Sequence, residues 1–539
     1  MTGYGSDQRP RGGRTAQGRD FGPKHSRRNA RGHERNRPKQ HQRSFSQQAP
    51  SARKRKSDPA RLTAYQAINA VVTDDAYANL VLPQLIRKNR LDRRDAAFAT
   101  ELAYGTLRHQ GRYDAILAHC SDRPLDKTGS QILTALRMGL HQLLSMRVPA
   151  HAALDSTVAL ARAEIGSGPA SFINAVLRRA SERSDQQWQQ QLDQQAPDEI
   201  SQLALAQSHP VWVVRALRQA LVAHGRSAQE IEDLLEANNQ APLVHLVALP
   251  GIGDLTEALE QGAQEGQLVP GSATYASGDL GRLQDVRQGR VRAQDIGSQL
   301  VARALAQAPL EGEDRFWLDL CAGPGGKAAL LAALGAPRGV QLLANEPTAH
   351  RAKLVEKSLQ AIDPAYYRVI CADGRQIGSC LQDPARRPLD MPAGRLFDRV
   401  LVDVPCSGLG ALRRRPEARW RKSPSDIGDL LKLQRQLLEA AIEVTRAGGL
   451  LAYSTCSPHM AETQNIVADI LGAGRVQLLD SAAALAAVAH QDEAGQSLLS
   501  AAMETAYRAD AANPAASTAQ LWPHIHGTDA MFFALFRKK

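Results

Sequence analysis

Hydrophobic residues recur at helical spacing in the first third of the chain. Leu62, Tyr65 and Ile68 begin one such series. They follow Asp58-Pro59, a pair that suits a helix cap with proline in the first turn. Because strand-like runs are scarce from here to about residue 190, the pattern predicts an all-helical domain over 58–190.

A mixed pattern follows over about 195–310. It predicts a helix around SHPVWVVRAL, which starts at Ser208, and a strand at LVHLVAL, which starts at Leu243. The segment VRAQDIGSQLVARAL, from Val291, leads toward the next domain. The pattern predicts a linker and a small α+β element, and it indicates no function by itself.

Apolar runs alternate with helical segments over 311–539. The runs are FWLDL, VQLLAN, YRVICA, DRVLVD and GLLAYS, starting at Phe316, Val340, Tyr367, Asp398 and Gly449. This alternation predicts an α/β domain with a doubly wound, mostly parallel, Rossmann-like sheet. Ligands of such sheets bind at the carboxyl ends of the strands, and the polar residues of this domain are concentrated there.

Positive charge is concentrated at the N-terminus. Residues 1–57 contain 16 Lys and Arg against 3 Asp and Glu, so this segment carries +13 and the rest of the chain −2. The segment is rich in Gly, Gln, Ser and Pro and poor in aliphatic residues, which predicts a disordered tail. Such a tail suits either RNA phosphate binding or a purely solubilising role.

The chain has no apolar run near the ~20 residues of a membrane-spanning helix, and its N-terminus lacks the apolar core of a signal peptide. A cytoplasmic protein without membrane partners is therefore expected. None of its six cysteines is spaced as CxxC, so reduced thiols are expected and a structural metal site is not.

A glycine-rich loop follows the first apolar run. Its residues are Cys321, Ala322, Gly323, Pro324, Gly325, Gly326 and Lys327. Glycines let a ligand approach the backbone, and the loop opens onto a helix N-terminus. The spacing is not that of a Walker A loop. It does fit a relaxed GxGxx(G/A) pattern, so a dinucleotide cofactor is one open interpretation.

Acidic residues stand at the ends of the second and third strands. Glu346 is placed to accept hydrogen bonds from the hydroxyls of a cofactor ribose, and Asp373 lies where methyltransferases contact the adenine amino group. Either acid alone is often a solvated strand-end residue. Together, in order along one sheet, they favour a nucleoside cofactor.

Two cysteines stand just beyond the fourth and fifth strands, in DVPCSGLG and YSTCSPHM. A free cysteine is often a small buried hydrophobe, but two in polar turns at one sheet edge favour chemistry. Thiolate attack on carbon 6 of cytosine activates carbon 5 toward a methyl donor, and product release then needs a base and a second positioned group. Cys406 and Cys456 suit these roles, and Asp403 can hydrogen-bond the nitrogen 3 and amino edge of the pyrimidine.

A basic run follows Cys406. It contains Arg413, Arg414, Arg415, Arg419 and Arg421, with Trp420 among them. Basic residues interleaved with an aromatic one predict contacts to RNA phosphates and bases, and the alternative is a solvated charged face.

Several segments resemble known families. RRDAAFATELAYGTLR, from Arg93, and FINAVLRR, from Phe172, resemble the NusB-type RNA-binding domain. From about residue 58 to the end, including LWPHIHGTDAMFFALF from Leu521 as a closing strand, the chain resembles the Sun/Fmu family of 16S ribosomal RNA cytosine-C5 methyltransferases, within the NOL1/NOP2/Sun group. The glycine loop and the Pro-Cys and Thr-Cys motifs carry this second resemblance.

The resemblance implies S-adenosylmethionine as cofactor and RNA, above all 16S ribosomal RNA, as partner. It implies that Cys456 attacks the base and that Cys406 assists product release. DNA cytosine methyltransferases use the Pro-Cys thiol instead, so this order of roles depends on the RNA family. The implied cofactor residues are Cys321 to Lys327, Glu346, Asp373 and Asp403.

Other interpretations stay open. The glycine loop and Glu346 would also suit a nicotinamide-dependent oxidoreductase, and the helical domain would suit a non-catalytic RNA-binding or antitermination factor. Transfer RNA or DNA could replace ribosomal RNA as the substrate. The alanine-rich segment over about 470–520 indicates no function.

Overall fold

The computed structural model describes residues 57–276, 278–491, 497–499 and 517–539. The predicted basic tail, except for residue 57, and part of the alanine-rich segment lie outside the described residues. No helix within the described ranges is long and apolar enough to cross a membrane.

Between residues 57 and 239, all of which are described, the chain is mainly helical. Asp58 caps the first helix by accepting a hydrogen bond from the backbone N–H of Arg61 at 2.8 Å, as the Asp58-Pro59 pair predicted. The helices are α1 Pro59–Thr73, α2 Ala78–Lys88, α3 Arg93–Arg108, α4 Gln110–Cys120, α5 Ser130–Leu144, α6 Ala150–Glu164, α7 Ser167–Ser181, α8 Asp185–Gln195, α9 Glu199–Ala206, α10 Val211–Ala223 and α11 Ile231–Asn239. The segment predicted as mixed thus begins with helices, and the domain boundaries stay predictions.

The helical region has its own hydrophobic core. Ile68 of α1, Leu102 of α3, Leu136 of α5 and Leu177 of α7 are buried in one cluster. Each belongs to a helix whose apolar residues recur along one side, so burying these faces together removes them from water and stabilises the bundle.

A small antiparallel sheet follows in the described part of 240–295. Its strands are β1 Val244–Ala248, β2 Gln264–Glu265, β3 Ser272–Tyr275 and β4 Val291–Ala293, in the order β2-β3-β1-β4, with helices α12 Thr256–Glu260 and α13 Gln284–Arg287. Because side chains alternate along a strand, Leu246 packs inside this element while Val247 packs against the next domain. The small element is therefore joined to the α/β domain that follows through a shared core.

The described part of 296–539 is an α/β domain. Its strands are β5 Phe316–Asp319, β6 Gln341–Asn345, β7 Tyr367–Ile370, β8 Phe397–Asp403, β9 Thr445–Thr455, β10 Val476–Leu478, β11 Ala519–Gln520 and β12 Phe532–Lys538. Its helices are α14 Ile296–Gln307, α15 Gly326–Gly335, α16 Ala349–Leu359, α17 Ile377–Cys380, α18 Ala418–Arg421, α19 Pro424–Val444, α20 Gln464–Gly472, α21 Ser481–Ala486 and α22 Pro523–His526.

The sheet of this domain has the order β10-β12-β9-β8-β5-β6-β7, with β11 paired to β12. Strands β5 to β9 pair in parallel, whereas β12 runs antiparallel to β9. Helices cover both faces: Leu330 and Val355 pack on one side, and Leu438 and Ile466 on the other. The predicted α/β class with a doubly wound sheet is confirmed.

Strand order determines where a site can form. The chain runs outward from β5 through β6 to β7, and β8 and β9 lie on the other side of β5. The reversal point is therefore between β5 and β8, where doubly wound sheets form a ligand crevice at the carboxyl ends of their strands. Asp319 ends β5 and Asp403 ends β8 at this point.

The basic run after Cys406 joins the helical region to the α/β domain. Arg419 is fully buried and donates hydrogen bonds to the carbonyl of Ser208 at 3.1 Å, the side chain of Asn239 at 2.8 Å and the carbonyl of Asn238 at 3.2 Å. These groups lie just past α9 and at the end of α11, where helices leave carbonyls without partners.

The neighbours of Arg419 make similar contacts. Arg421 donates to the carbonyl of Val71 at 3.0 Å, and the indole of Trp420 lies so close to Gly111 that an added Cβ would come within 2.2 Å of it. Arg413 is buried and donates to the carbonyl of Gly527 at 2.9 Å. For Arg413, Arg419, Trp420 and Arg421 the predicted RNA contacts are therefore wrong, because these side chains are used within the protein. For Arg414, which also pairs with Asp529, and for Arg415, both partly exposed, they stay a prediction.

Replacing Arg419 by alanine should destabilise the protein by about 3 kcal/mol, because several buried hydrogen-bonding groups would lose their partner. Thermal unfolding should show this as a lower midpoint. Arg435→Ala is the matched control, since Arg435 pairs with Asp469 on the surface, where such pairs contribute about 0–1 kcal/mol. Equal midpoints for the two variants would contradict the buried junction.

Candidate active site

The glycine loop connects β5 to α15 and passes close to two other segments. Gly325 has φ +106°, a conformation that favours glycine, and an added Cβ there would lie 2.5 Å from Ser358. An added Cβ on Gly323 would lie 2.1 Å from a carboxylate oxygen of Glu346. Both glycines therefore permit a close approach that a side chain would prevent.

Glu346 lies just past β6, buried beside this loop. Its carboxylate pairs with Arg351 at 3.3 Å and accepts a hydrogen bond from the backbone N–H of Thr348 at 3.1 Å. Arg351 also donates to the carbonyl of Gly323 at 3.1 Å. The structure thus brings Glu346 to the glycine loop, and it adds Arg351, which no motif had indicated.

Asp373 lies past the end of β7 at the same edge of the sheet. Its carboxylate accepts a hydrogen bond from the Arg375 side chain at 2.6 Å, which lowers the pKa of Asp373. The predicted contact of this acid with an adenine amino group stays a prediction.

Lys327 and Asp403 form an ion pair at the reversal point of the sheet. The Lys327 ammonium lies 2.8 Å from one Asp403 oxygen, and the Ser454 hydroxyl donates to the other oxygen at 2.9 Å. Burial works against the charged form of Lys327, but the Asp403 carboxylate outweighs it and raises the Lys327 pKa. A lysine predicted only as part of the cofactor loop therefore pairs with Asp403, the acid predicted to hydrogen-bond the base.

Asp319 is a site residue that the sequence reasoning missed. It ends β5, is almost completely buried, and no described side chain donates a hydrogen bond to either of its carboxylate oxygens. Burial, together with the charge of Asp403, raises the pKa of Asp319 to about 7. The sequence signal that could have found Asp319 was its position at a strand end, directly before the glycine loop, which resembles the strand-end position of Asp403.

The two cysteines meet at the carboxyl ends of β8 and β9. Their Sγ atoms are 3.4 Å apart, and both side chains are partly accessible. A hydrogen bond from Cys406 lowers the pKa of Cys456, and the same contact raises the pKa of Cys406. The positive charge of Lys327 further favours the Cys456 thiolate, while the negative charge of Glu462 disfavours a thiolate at Cys406.

Glu462 ties the two cysteine turns together, and sequence reasoning missed it. This fully buried carboxylate accepts hydrogen bonds from the backbone N–H of Ser407 at 2.9 Å and from the hydroxyl of Ser457 at 2.6 Å. It also accepts one from the Gln434 amide at 3.0 Å. The sequence signal that could have found Glu462 was the serine directly after each cysteine, because two hydroxyl groups can donate hydrogen bonds to one carboxylate. Glu462 thus acts as a clamp between the two cysteine turns.

A third segment closes the site beside Cys456. The Gly410 N–H donates to the carbonyl of Cys456 at 2.8 Å, and the Ala530 N–H donates to the carbonyl of Gly410 at 2.9 Å. An added Cβ on Gly410 would lie 2.2 Å from the carbonyl oxygen of Ala530. The cysteine turns and the segment before β12 are therefore held at backbone contact distance.

Comparison with known proteins identifies the family. A family model described as 16S rRNA methyltransferase RsmB/F matches residues 304–537, and a NusB family model matches residues 58–182. The Mycobacterium tuberculosis (strain H37Rv) protein named "Putative methyltransferase Rv1407" is 44% identical over 490 residues, covering 90% of this chain and 98% of that protein. The chain belongs to the RsmB/F family of 16S rRNA methyltransferases.

Other RsmB/F relatives agree with this assignment. Ribosomal RNA small subunit methyltransferase B of Vibrio vulnificus is 33% identical over 374 residues, covering 68% of this chain and 80% of that protein. The crystal structure of PH0851 superposes with a TM-score of 0.69 at 18% identity, covering 89% of this chain and 99% of that chain, and shows a shared fold.

This RsmB/F-family protein is thus an S-adenosylmethionine-dependent ribosomal RNA methyltransferase that carries an N-terminal NusB-like domain. Its substrate is RNA and its cofactor is S-adenosylmethionine, as predicted. Among the side chains whose positions are described, no cluster of three or more His, Cys, Asp or Glu could hold a metal ion.

Proposed function

We propose that this protein forms 5-methylcytosine in 16S ribosomal RNA through a covalent adduct between Cys456 and the cytosine. One observation carries the proposal: two thiols lie 3.4 Å apart beside the Lys327–Asp403 ion pair, and the pKa values of the two thiols are shifted in opposite directions. Because its proposed substrate is ribosomal RNA, we expect the enzyme to act in the cytoplasm.

The chemistry assigns a different role to each thiol. The Cys456 thiolate adds to carbon 6 of the cytosine, and Asp403 hydrogen-bonds the nitrogen 3 and amino edge of the base. When bound, S-adenosylmethionine supplies the methyl group that carbon 5 receives. Carbon 5 then gives its proton to a water molecule from solvent, the electrons of that bond restore the double bond between carbons 5 and 6, and the bond from carbon 6 to sulfur breaks, so that Cys456 leaves as the thiolate. The Cys406 thiol keeps its own proton and assists the release by donating a hydrogen bond to that thiolate.

The same proposal assigns the cofactor residues. Backbone groups of Cys321 to Lys327 hold the methionyl end at the start of α15, where N–H groups lack partners. With the cofactor bound, Glu346 would accept hydrogen bonds from its ribose hydroxyls, Asp373 would contact its adenine amino group, and Asp403 would complete the cofactor site. The carboxyl of Asp319 supports this arrangement, because a buried acid to which no described side chain donates a hydrogen bond suits the cofactor's ammonium group.

The test is methyl transfer from labelled S-adenosylmethionine to 16S ribosomal RNA, followed by nuclease digestion and mass spectrometry of the nucleosides. We expect the label in 5-methylcytidine. The same assay with transfer RNA is the control for substrate class and should give little product. Label in another nucleoside would contradict the cytosine chemistry, and no transfer to any RNA would favour a non-catalytic RNA-binding factor.

A further inference from the structure

Gln294 is a buried side chain without a partner. It lies between β4 and α14 and is only 8% exposed, and neither its amide nitrogen nor its amide oxygen has a hydrogen-bond partner in the described protein. The backbone of Gln294, by contrast, is fully hydrogen-bonded. Its N–H donates to the carbonyl of His245, and its carbonyl accepts from the Gln299 amide, both at 2.9 Å. A buried amide left unpaired is costly, so this side chain is suited to receive a ligand.

The amide of Gln294 lies against the start of the cofactor helix. A Cβ added to Gly326, the first residue of α15, would lie 3.6 to 3.9 Å from the Gln294 amide atoms. This helix has ten residues, and no side chain caps its first turn. Its N–H groups at Gly326 and Lys327 therefore favour an anion, and the Gln294 amide is positioned to add a further donor.

The methionyl end of the cofactor carries two groups of opposite charge. S-adenosylmethionine carries one anionic group, the carboxylate of its methionyl end, next to an ammonium group. The buried Asp319 carboxyl, to which no described side chain donates, precedes the glycine loop and suits the ammonium, whereas Gln294 and the start of α15 suit the carboxylate. A buried acid and a buried amide with complementary chemistry thus lie beside the same loop.

We infer that Gln294 is a cofactor-binding residue whose side-chain amide donates a hydrogen bond to the carboxylate of S-adenosylmethionine. The cofactor site then includes residues of both the α/β domain and the small antiparallel sheet, because Gln294 directly follows strand β4. The inference depends on the cofactor assignment and is independent of the cytosine chemistry.

Calorimetric binding of two ligands tests the inference. S-adenosylhomocysteine has the carboxylate, and 5′-methylthioadenosine lacks the whole amino-acid end. Gln294→Leu should weaken S-adenosylhomocysteine binding roughly 10-fold, the effect of one lost hydrogen bond to a charged group. It should leave 5′-methylthioadenosine binding unchanged. Gln294→Glu should weaken S-adenosylhomocysteine further, because a second carboxylate would face the first.

If Gln294 served only to stabilise the fold, replacing it would lower the melting temperature of the ligand-free protein. A cofactor-binding role predicts otherwise. Gln294→Leu removes an unpaired buried amide, so the ligand-free variant should melt at the wild-type temperature or above it. The matched control is Gln341→Leu: Gln341 is equally buried, but its amide bonds Asp390 at 2.6 Å, so S-adenosylhomocysteine affinity should not change. An equal loss for both ligands, or no loss in Gln294→Leu, would overturn the inference alone. A wild-type protein that does not bind S-adenosylhomocysteine would overturn the cofactor assignment as well.

Discussion

Replacing Cys456 by alanine is expected to reduce methyl transfer by a factor on the order of 10⁴ or more, the scale seen when an enzyme loses its nucleophile. Cys456 is the thiol whose pKa is lowered: the hydrogen bond from Cys406, helped by the charge of Lys327, outweighs burial and the negative charges of Asp403 and Asp529. Single-turnover transfer of labelled methyl to 16S ribosomal RNA measures the loss.

Cys406→Ala is the matched control, because it removes the neighbouring thiol only 3.4 Å away. If Cys406 assists release, this variant still adds to the base but cannot complete elimination. A covalent complex of protein and RNA should then accumulate and migrate as a shifted band on a denaturing gel. A trapped complex with Cys456→Ala, and none with Cys406→Ala, would show that the two thiols have exchanged roles.

Replacing Glu462 by alanine is expected to lower the free energy of unfolding by about 3 kcal/mol or more and to reduce the transfer rate at least about 100-fold. The buried donors of Ser407, Ser457 and Gln434 would lose their shared acceptor, which accounts for the stability loss. The two cysteine turns would also lose the group that holds them together, and small displacements of reacting groups cost about 100-fold in rate.

Glu462→Gln separates the two effects, since it keeps the shape and one accepting oxygen. Its stability should lie between those of wild type and Glu462→Ala. S-adenosylhomocysteine affinity, measured on folded protein at low temperature, should stay near wild type in both variants, because the clamp contacts the cysteine turns and not the glycine loop. Unchanged transfer by folded Glu462→Ala would show that the clamp has no part in positioning the thiols.

The fold class followed from local patterns. Apolar runs such as DRVLVD and GLLAYS are buried on both faces of a parallel sheet, so they appear as continuous hydrophobic segments in the chain. The candidate reacting groups were also readable, because Cys406, Cys456 and Asp403 stand directly at strand ends. Parallel strands bring such ends to one edge whatever their order.

The basic run after Cys406 shows where a prediction from the local sequence was wrong. Arg419 and Arg413 look like surface charges in the sequence, yet they are buried at carbonyls from distant segments. Nothing in a window of neighbouring residues distinguishes a charge that binds RNA from one that binds helix ends. That distinction depends on which surfaces pack together.

The sequence by itself determined the α/β class, the helical N-terminal region, the cofactor loop and the two thiols, because periodicity and strand-end position are local properties. Only the tertiary structure decided that Lys327 pairs with Asp403, that Glu462 joins both cysteine turns, that Asp319 is buried without a side-chain donor, and that the Gln294 amide has no partner among the described residues. These features arise from contacts between segments far apart in the chain, and a buried polar group reveals itself only once its surroundings are known.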